Sequence, residues 1–189
     1  MSLGIFVEGP SDRQAIPILI RKVGYLGGVE SRVVSQGEML DASKMSAQVR
    51  ALLVVQRMVD RIIVFRDSEG TDPQETLRLM EPVYSTLNAE GRVPVDYVVV
   101  DHSLEGWLAC DIDALKAVLG GDAKIRIEGN PEDNPRPAKL MARIFKANGK
   151  TYKKTVHAAR IAEAANWRNI SKNSITFRRL VRLLRRANT

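Results

Sequence analysis

The chain opens on a short apolar run that ends in acidic residues: Leu3-Gly4-Ile5-Phe6-Val7-Glu8-Gly9-Pro10-Ser11-Asp12. Residues 3–7 predict a buried strand, because a short apolar run bounded by turn-forming residues suits a strand covered on both faces. Ser11, with Gln14 three residues later, matches a capping box and predicts the start of a helix. Apolar residues at helical spacing follow until Gly24 ends that helix.

Working outward from this stretch, strand-like and helix-like segments alternate through the first hundred residues. Strands are predicted at residues 3–7, 29–35, 61–66 and 95–100, and helices at about 11–23, 42–58 and 73–89. This alternation predicts an α/β fold with a mostly parallel four-stranded sheet flanked by helices on both faces. Ligands of such sheets bind beyond the carboxyl ends of the strands.

Acidic residues recur at the predicted strand ends. Glu8 and Asp12 follow the first strand, Asp67 and Glu69 follow the third, and Glu105 lies just past the fourth. Asp67 and Glu69 are two apart, so in extended backbone both side chains would leave on one side. Carboxylate oxygens are the ligands that Mg²⁺ prefers, and converging carboxylates predict a Mg²⁺ or Mn²⁺ site.

Each acid also has an ordinary structural explanation. An aspartate after a strand is often a helix cap or a turn former. Asp101 ends the fourth predicted strand and is either part of the acidic edge or only the strand's end. Asp111 is predicted to cap a helix over residues 112–119, and Trp107 is predicted to lie in the core. The recurrence at three separate strand ends favours a common site over three unrelated caps.

The charge of the chain is unevenly distributed. Residues 1–122 hold 12 Lys+Arg and 18 Asp+Glu, a net charge of −6, whereas residues 123–189 hold 17 Lys+Arg and 4 Asp+Glu, a net charge of +13. An acidic body with a basic end indicates a polyanionic partner such as nucleic acid. The alternative is a solvated basic surface without a partner. We therefore predict a domain at residues 1–122 and a basic helical region at residues 123–189 packed on it.

The basic region begins with a turn-rich connector at residues 130–137 and then predicts three short helices, at about 138–147, 153–165 and 173–187. Contacts from its cations would hold a nucleic-acid backbone without reading its sequence. The side chains predicted to bind nucleic acid in this way are Lys139, Arg143, Lys153, Lys154, Arg178, Arg179 and Arg182. A lysine of this region, Lys139, Lys153 or Lys154, is also a candidate to stabilise charge in a transition state.

The composition excludes several classes of protein. No apolar stretch reaches the length of about 20 residues that a membrane span needs. A single cysteine, Cys110, cannot form an internal disulfide and fits a reducing compartment, so a cytoplasmic location is expected. The N-terminal residues do not match a secretory signal. No Gly-x-x-x-x-Gly-Lys phosphate loop is present, so an ATPase activity is not expected from this sequence.

These residues resemble a known family. Glu8-Gly9 after an apolar strand, with Asp67-x-Glu69 after a later one, resembles the Toprim domain of topoisomerases, primases and overcoming-lysogenization-defect (OLD) nucleases. The run Glu105-Gly106-Trp107-Leu108-Ala109-Cys110-Asp111 resembles the E-x-W-x-x-x-D stretch of the small Toprim-like family DUF4276. Ser174-Ile175-Thr176-Phe177 is similar to the C-terminal pattern of that family.

The resemblance implies a Toprim-like fold and a set of roles. Glu8, Asp67 and Glu69 would be catalytic, and Mg²⁺ would be held by them together with Asp12 and Glu105. The chain departs from the Toprim pattern at Glu69, where the usual residue is aspartate, so the metal geometry differs by one methylene.

The leading hypothesis is a Mg²⁺-dependent enzyme that cleaves phosphodiester bonds in nucleic acid, as OLD-like nucleases do. One alternative is a non-catalytic nucleic-acid-binding or regulatory module that partners a separately encoded ATPase, for example in phage defence. A third hypothesis is phosphoryl transfer on a small nucleotide, in which case the basic region would be incidental.

Overall fold

The computed structural model describes residues 2–187. Within that range the strands are β1 (Ser2–Val7), β2 (Gly28–Val33), β3 (Val59–Asp67) and β4 (Val95–Val100). The helices between them are α1 (Pro10–Val23), α2 (Gln36–Met39), α3 (Ala42–Val55) and α4 (Pro73–Ala89). After β4 come α5 (Leu104–Ala109), α6 (Ile112–Leu119), a 3₁₀ turn (Pro131–Asp133), α7 (Pro137–Ala147), α8 (Lys154–Ala164), α9 (Trp167–Asn173) and α10 (Ile175–Ala187).

The four strands form one sheet in the order β2-β1-β3-β4, and every neighbouring pair is parallel. In the middle of the sheet, Ile5 lies between Ser31 of β2 and Ile63 of β3. The predicted α/β fold is therefore confirmed. Because all strands run the same way, their carboxyl ends lie along a single edge.

Helices cover both faces of the sheet. Leu3, Ile5 and Val7 of β1 pack into a core that they share with α1 and the helices after β4, whereas Phe6 points to the opposite core, against α3 and α4. This alternation is what a strand buried on both faces must have. Gly4 lies on the α3 side, where a Cβ would be 2.7 Å from Cδ2 of Leu52, so the absence of a side chain allows α3 to approach the sheet.

The start of α1 differs from the prediction. Gly9 is the N-cap, Pro10 takes the first helical position, and no side chain caps the helix, so the predicted capping box of Ser11 and Gln14 is wrong. Proline at the first position is preorganised for the helix and needs no amide donor there. The predicted end is confirmed, since Gly24 closes the helix with φ 102° in the left-handed region.

Two short helices were not predicted. One is α9, which lies between the predicted helices at residues 153–165 and 173–187. The predicted helix at 173–187 is α10, and it is separated from α9 by Ser174, whose Oγ accepts from the amide of Phe177 at 2.9 Å. The other is α2, which follows β2. Both are short helices with little apolar periodicity of their own, so the pattern of the sequence did not separate them.

Residues 105–111 attach the basic region to the sheet. The indole of Trp107 is buried and donates from Nε1 to Oγ1 of Thr176 at 2.7 Å. Asp111 accepts from the backbone amide of Asn166 at 2.6 Å and from Nδ2 of Asn169 at 3.0 Å, and it also caps α6. The predictions of Trp107 as a core residue and of Asp111 as a cap are therefore confirmed.

A buried carboxylate, Glu132, holds the start of α10. It accepts from Oγ of Ser174 at 2.5 Å, from the amides of Ile175 at 2.6 Å and Thr176 at 3.2 Å, and from the hydroxyl of Thr176. The first amides of a helix lack intrahelical acceptors, and a carboxylate beside them is favoured by the helix dipole. The Ser174–Phe177 motif thus supplies the hydrogen-bond donors that hold the buried carboxylate of Glu132.

The basic region shares its core with the sheet. Ile161 and Ala162 of α8 and Phe177 and Leu180 of α10 belong to the same buried cluster as Ile16 and Leu19 of α1. The division of the chain at residues 122 and 123 stays a prediction. Within residues 2–187, no helix combines the length and the apolar character that crossing a bilayer requires.

Replacing Glu132 by glutamine should destabilise the protein. The amide would put an NH₂ group among donors that need an acceptor and would remove the charge at the start of α10, so we expect a loss of about 2–4 kcal/mol in the free energy of unfolding. Urea denaturation measures it, with the exposed Glu128→Gln as a matched control. An unchanged midpoint for Glu132→Gln would contradict the role assigned to this carboxylate.

Candidate functional site

The carboxyl edge of the sheet collects the acids that end its strands. Glu8 follows β1, Asp67 is the last residue of β3, and Asp101 follows β4, and these three strands are neighbours in the sheet. Asp12 lies in the first turn of α1 and Glu105 in the first turn of α5. The parallel sheet therefore brings together residues that are as many as 97 positions apart, as Glu8 and Glu105 are.

Glu8 is held in one orientation by two donors. Its Oε2 accepts from Nε2 of Gln36 at 2.8 Å, and its Oε1 accepts from the backbone amide of Asp67 at 3.1 Å. Burial raises the pKa of Glu8, and these hydrogen bonds and the positive charge of Arg66 offset part of the effect. Arg66 also donates to the carbonyl of Gln36 at 3.1 Å, which fixes the start of α2 beside Glu8.

Lys154 lies between two of the other acids. Its Nζ is 3.6 Å from Oδ1 of Asp12 and 3.4 Å from Oε2 of Glu105. The side chain of Glu105 has no exposed surface and that of Asp12 is 6% exposed, so this ammonium is the counter-charge of two buried carboxylates. Lys154 is the first residue of α8, and α8 packs on α1, which carries Asp12.

Glu105 is the most constrained of the acids. Its Oε2 accepts from Oγ of Ser103 at 2.9 Å, and its Oε1 accepts from the hydroxyl of Tyr152 at 3.3 Å. Burial, together with the negative charge of Glu105, raises the pKa of Tyr152, so this phenol stays a hydrogen-bond donor. The neutral donors and Lys154 together make full burial of Glu105 possible.

Asp67 lies within the field of the whole cluster. Burial raises its pKa well above the usual range of aspartate, and the negative charges of Asp12, Glu8 and Glu105 raise it further, whereas Lys154 lowers it. Burial likewise raises the pKa of Asp12. For Lys154, burial disfavours the ammonium, but Glu105, Asp12 and Asp67 outweigh it and the pKa is raised. Four acids and one lysine thus form a single electrostatic unit.

Glu69 is placed differently from the other predicted acids. Strand β3 ends at Asp67, and Glu69 lies in the following turn with φ 49°, exposed to solvent. The argument that Asp67 and Glu69 point to the same side does not apply, because the backbone between them is not extended. The charge of Glu69 still acts on Glu8, whose pKa it raises slightly.

A second polar group follows on the β4 side. Oγ of Ser68 donates to Oδ1 of Asp101 at 3.3 Å and accepts from the amide of His102 at 2.8 Å. His102 has φ 54°, and its Nε2 lies 3.8 Å from Oδ1 of Asp101. The Nδ1 atom of His102 is buried and has no hydrogen-bond partner. These residues continue the polar edge beyond β3.

The donor set suits a hard divalent cation. Within residues 2–187 no three His, Cys, Asp or Glu side chains are close enough to hold one ion, and Lys154 stands between two of the acids. Mg²⁺ nevertheless needs only one or two carboxylates and keeps several waters. Oδ1 of Asp12 is a buried carboxylate oxygen that accepts no hydrogen bond. The candidates for these one or two ligands are Asp67, Glu8 and Asp12.

The seven basic residues predicted to bind nucleic acid fall into three places. Lys154 lies among the acids. Lys139 and Arg143 on α7 are exposed, as is Lys153 just before α8. Arg178, Arg179 and Arg182, three of the five arginines of α10, form the last group.

Two of the α10 arginines are engaged within the fold. Nη1 of Arg178 donates to the carbonyl of Ser171 at 2.8 Å, and Arg179 lies over the ring of Tyr97 with 5.0 Å from Cζ to the centroid. Arg182 is exposed.

A continuous basic surface runs along α7. Arg136, Lys139 and Arg143 line a groove of about 220 Å³, and Arg143 also lines a second groove of about 240 Å³ with Lys124 and Arg126. We call these five residues the α7 basic surface. Helix α7 packs on α5, which carries Glu105. The sequence had indicated Lys139 and Arg143, whereas Arg136, Lys124 and Arg126 join them only through the fold.

Three residues of the acidic site carry no signal in the sequence. Gln36 is a neutral residue at the start of a four-residue helix, and Tyr152 and Ser103 lie in loops. Each acts by donating one hydrogen bond to a carboxylate that is distant or two residues away. Lys154 was one of three candidate lysines, and only its position in the fold distinguishes it.

Replacing Asp67 by asparagine should stabilise the protein at neutral pH. The folded-state pKa of Asp67 is raised, so its ionised form costs free energy above that pKa, and asparagine removes the cost. The gain should shrink as the pH falls through the folded pKa and vanish below the ordinary pKa of about 3.9, where aspartate is protonated in both states. Thermal denaturation measures the gain in stability as a rise in the midpoint of about 2–4 °C for each kcal/mol.

The exposed Asp122→Asn serves as the control and should leave the midpoint unchanged. A lower midpoint for Asp67→Asn at neutral pH would contradict the electrostatic cost assigned to this carboxylate.

Comparisons with known proteins give one match. A model of the family described as Domain of unknown function (DUF4276) matches residues 7–185. No curated protein matches the chain, and no solved structure does. The matched range includes Glu8, Asp12, Asp67, Glu105 and Lys154 and the strands β2, β3 and β4. Because the match covers almost the full length, this chain belongs to the DUF4276 family.

Proposed function

We propose that this protein is a Mg²⁺-dependent phosphodiesterase that cleaves nucleic acid, with its active site at the carboxyl edge of the sheet. The observation that carries the proposal is the partly buried cluster of Glu8, Asp12, Asp67 and Glu105 around Lys154. The pKa values of Glu8, Asp12 and Asp67 are raised by burial, and such carboxylates at one edge of an α/β sheet are typical of functional sites, because a fold gains no stability from them. The likeness to the Toprim domain agrees with this placement.

Three acids of the cluster have a role in the proposed reaction. One or two of Asp67, Glu8 and Asp12 would hold Mg²⁺, which when bound supplies a positive charge that polarises a phosphate and favours ionisation of a nucleophilic water. Glu8, oriented by Gln36 and by the amide of Asp67, is placed to accept a proton from that water. Glu69 lies outside the cluster, in the exposed turn after β3, and we assign it no contact with the ion.

Lys154 is the residue best placed to stabilise the charge that develops on phosphate in the transition state. Of the three lysines considered from the sequence, Lys139 and Lys153 are exposed, whereas Lys154 lies 3.4 Å from Glu105 and 3.6 Å from Asp12. A fixed ammonium in a poorly solvated site acts more strongly on an oxyanion than one in water. Its raised pKa keeps it charged at neutral pH.

The α7 basic surface would bind the nucleic-acid backbone. Its five cations line two grooves beside α7, the helix that packs on α5, which carries Glu105. Arginine binds phosphate bidentately, and exposed cations of this kind contact backbone rather than bases. We therefore expect binding with low sequence specificity.

Metal-dependent cleavage is the direct test of the proposal. Plasmid DNA and single-stranded RNA are incubated with the protein and Mg²⁺ or Mn²⁺, and Asp67→Asn should lower the rate by about 100-fold or more, since several kcal/mol of transition-state stabilisation are lost. Because Asp67→Asn is expected to stabilise the fold, unfolding cannot account for a loss of activity. Asp122→Asn should cleave at the rate of the unchanged protein.

Absence of metal-dependent cleavage of every DNA and RNA tested would contradict the proposed phosphodiesterase activity. If the protein then still bound DNA, the non-catalytic module that partners a separate ATPase would be favoured.

The dependence of DNA binding on salt tests the α7 basic surface. Replacing Arg136, Lys139 and Arg143 by glutamine should reduce the slope of log K against log [salt] by about 2–3, because each phosphate contact contributes about 0.9. The matched control replaces by glutamine three exposed arginines elsewhere, namely Arg50 of α3, Arg57 in the turn after α3 and Arg78 of α4; these helices pack on the other face of the sheet. An equal reduction in both triple variants would show that binding is not confined to the α7 surface.

A further inference from the structure

Strand β2 is an edge strand that has a neighbour on one side only. It pairs with β1, and no other segment of residues 2–187 hydrogen-bonds to its outer side. The amide of Val34 donates to the carbonyl of Val7 at 2.9 Å. Because peptide groups alternate along a strand, those of Val29, Ser31 and Val33 must then point outward, away from β1. An edge of this kind is a template for another strand.

Exposed apolar side chains are frequent in the chain segment that contains this edge strand. Ten large hydrophobic residues of the described chain are exposed, and six of them fall in residues 26–58, which include β2 and its neighbours. They are Leu26, Val33, Leu40, Val54, Val55 and Met58, with exposures from 37% to 95%. The remaining four are scattered over residues 79–175. Exposed apolar side chains gathered on one side of a protein mark an interaction surface.

Helix α3 places part of this apolar surface next to β2. Nη2 of Arg32 donates to the carbonyl of Ala51 at 3.2 Å, so the flank of α3 near Ala51 borders the open edge. Val55 lies one turn further along that flank and is 65% exposed. The other flank of α3 faces α4, where Ser46 bonds to Glu90 at the end of that helix. The edge and the apolar flank are therefore continuous.

The charges of β2 are complementary to those of a second copy of the same strand. In an antiparallel pair with Ser31 opposite Ser31 of the second copy, Glu30 faces Arg32 of the second copy and Arg32 faces its Glu30. In this register the outward-pointing peptide groups of Val29, Ser31 and Val33 lie opposite those of Val33, Ser31 and Val29 of the second copy. Each of these three pairs can form two hydrogen bonds, so about six backbone hydrogen bonds would form.

Other registers lose this match. A shift of two residues one way places Glu30 opposite Glu30, and a shift the other way places Arg32 opposite Arg32. Like charges directly opposite each other are destabilising, and a shift of a single residue would bring inward-pointing peptide groups to the edge. The sequence of β2 thus selects one self-pairing.

We propose that the protein forms a two-fold symmetric dimer in which two β2 strands pair antiparallel about Ser31 and join the sheets into one of eight strands. The pairing is isologous, so the same patch serves both subunits, as closed dimers require. Because the two β2 strands run in opposite directions, the acidic edges of the subunits lie at opposite ends of the joined sheet. The dimer therefore carries two separate sites rather than one shared cleft.

Charge reversal tests the pairing. Glu30→Arg and Arg32→Glu each turn both symmetric ion pairs into like-charge pairs, and each should weaken the dimer by about tenfold or more. The double variant Glu30→Arg/Arg32→Glu restores opposite charges across the two-fold axis and should recover the dimer. Sedimentation equilibrium measures the dissociation constant, and circular dichroism checks that each variant folds.

A cysteine at the axis tests the register. In this pairing the two Ser31 Cα atoms are about 5.5 Å apart, within the range for a disulfide. The single native cysteine, Cys110, is buried. Ser31→Cys should therefore cross-link to a covalent dimer under mild oxidation, whereas Val33→Cys should not, because its copy lies about 13 Å away.

A wild-type protein that stays monomeric at all accessible concentrations would overturn the proposal. So would a dimer that is unaffected by the charge reversals, or one that cross-links through Val33→Cys and not through Ser31→Cys.

Discussion

Lys154 supplies the positive charge on which the arrangement of this molecule depends. A parallel sheet brings the carboxylates at its strand ends to one edge, and partial burial there makes their mutual repulsion expensive. The ammonium between Asp12 and Glu105 offsets that repulsion, yet it comes from α8, some fifty residues beyond Glu105. The sheet can therefore bury its acids only if the C-terminal helices pack against it.

The contacts between the two parts of the chain follow from this requirement. Trp107 and Asp111, on the segment that begins with Glu105, bind Thr176 and Asn166, and Glu132 holds the start of α10. Helix α8 lies along α1, so the residues that face each other across this contact include both partners of the Asp12–Lys154 pair. The segment 105–111 thus carries the carboxylate of Glu105 and also the contacts that hold the C-terminal helices, which supply its counter-ion Lys154.

The two outer strands of the sheet, β4 and β2, differ in how their free sides are covered. On the β4 side, α10 packs against the strand and Arg179 lies over Tyr97, so this edge is covered by the same helix that Glu132 holds. On the β2 side no strand in residues 2–187 pairs with the outer side of β2, and six exposed apolar residues lie in the segment 26–58 that contains it. Open edges are avoided in proteins that stay monomeric, which is why the contrast between the two edges carries information.

Local patterns in the sequence determined the strands, the helix α4 with Pro73 at its start, the cap at Asp111 and the set of acids at the strand ends. These features depend on residues a few positions apart, so the sequence displays them directly. It could not indicate that Lys154 rather than Lys139 or Lys153 enters the site, that Gln36 and Tyr152 hold Glu8 and Glu105, or that Glu132 is buried. Those roles belong to the tertiary structure, because a single hydrogen bond or ion pair between distant residues leaves no periodic trace along the chain. Glu69 is the opposite case. Its spacing from Asp67 predicted that the two acids share one site, but the turn after β3 places Glu69 outside the cluster.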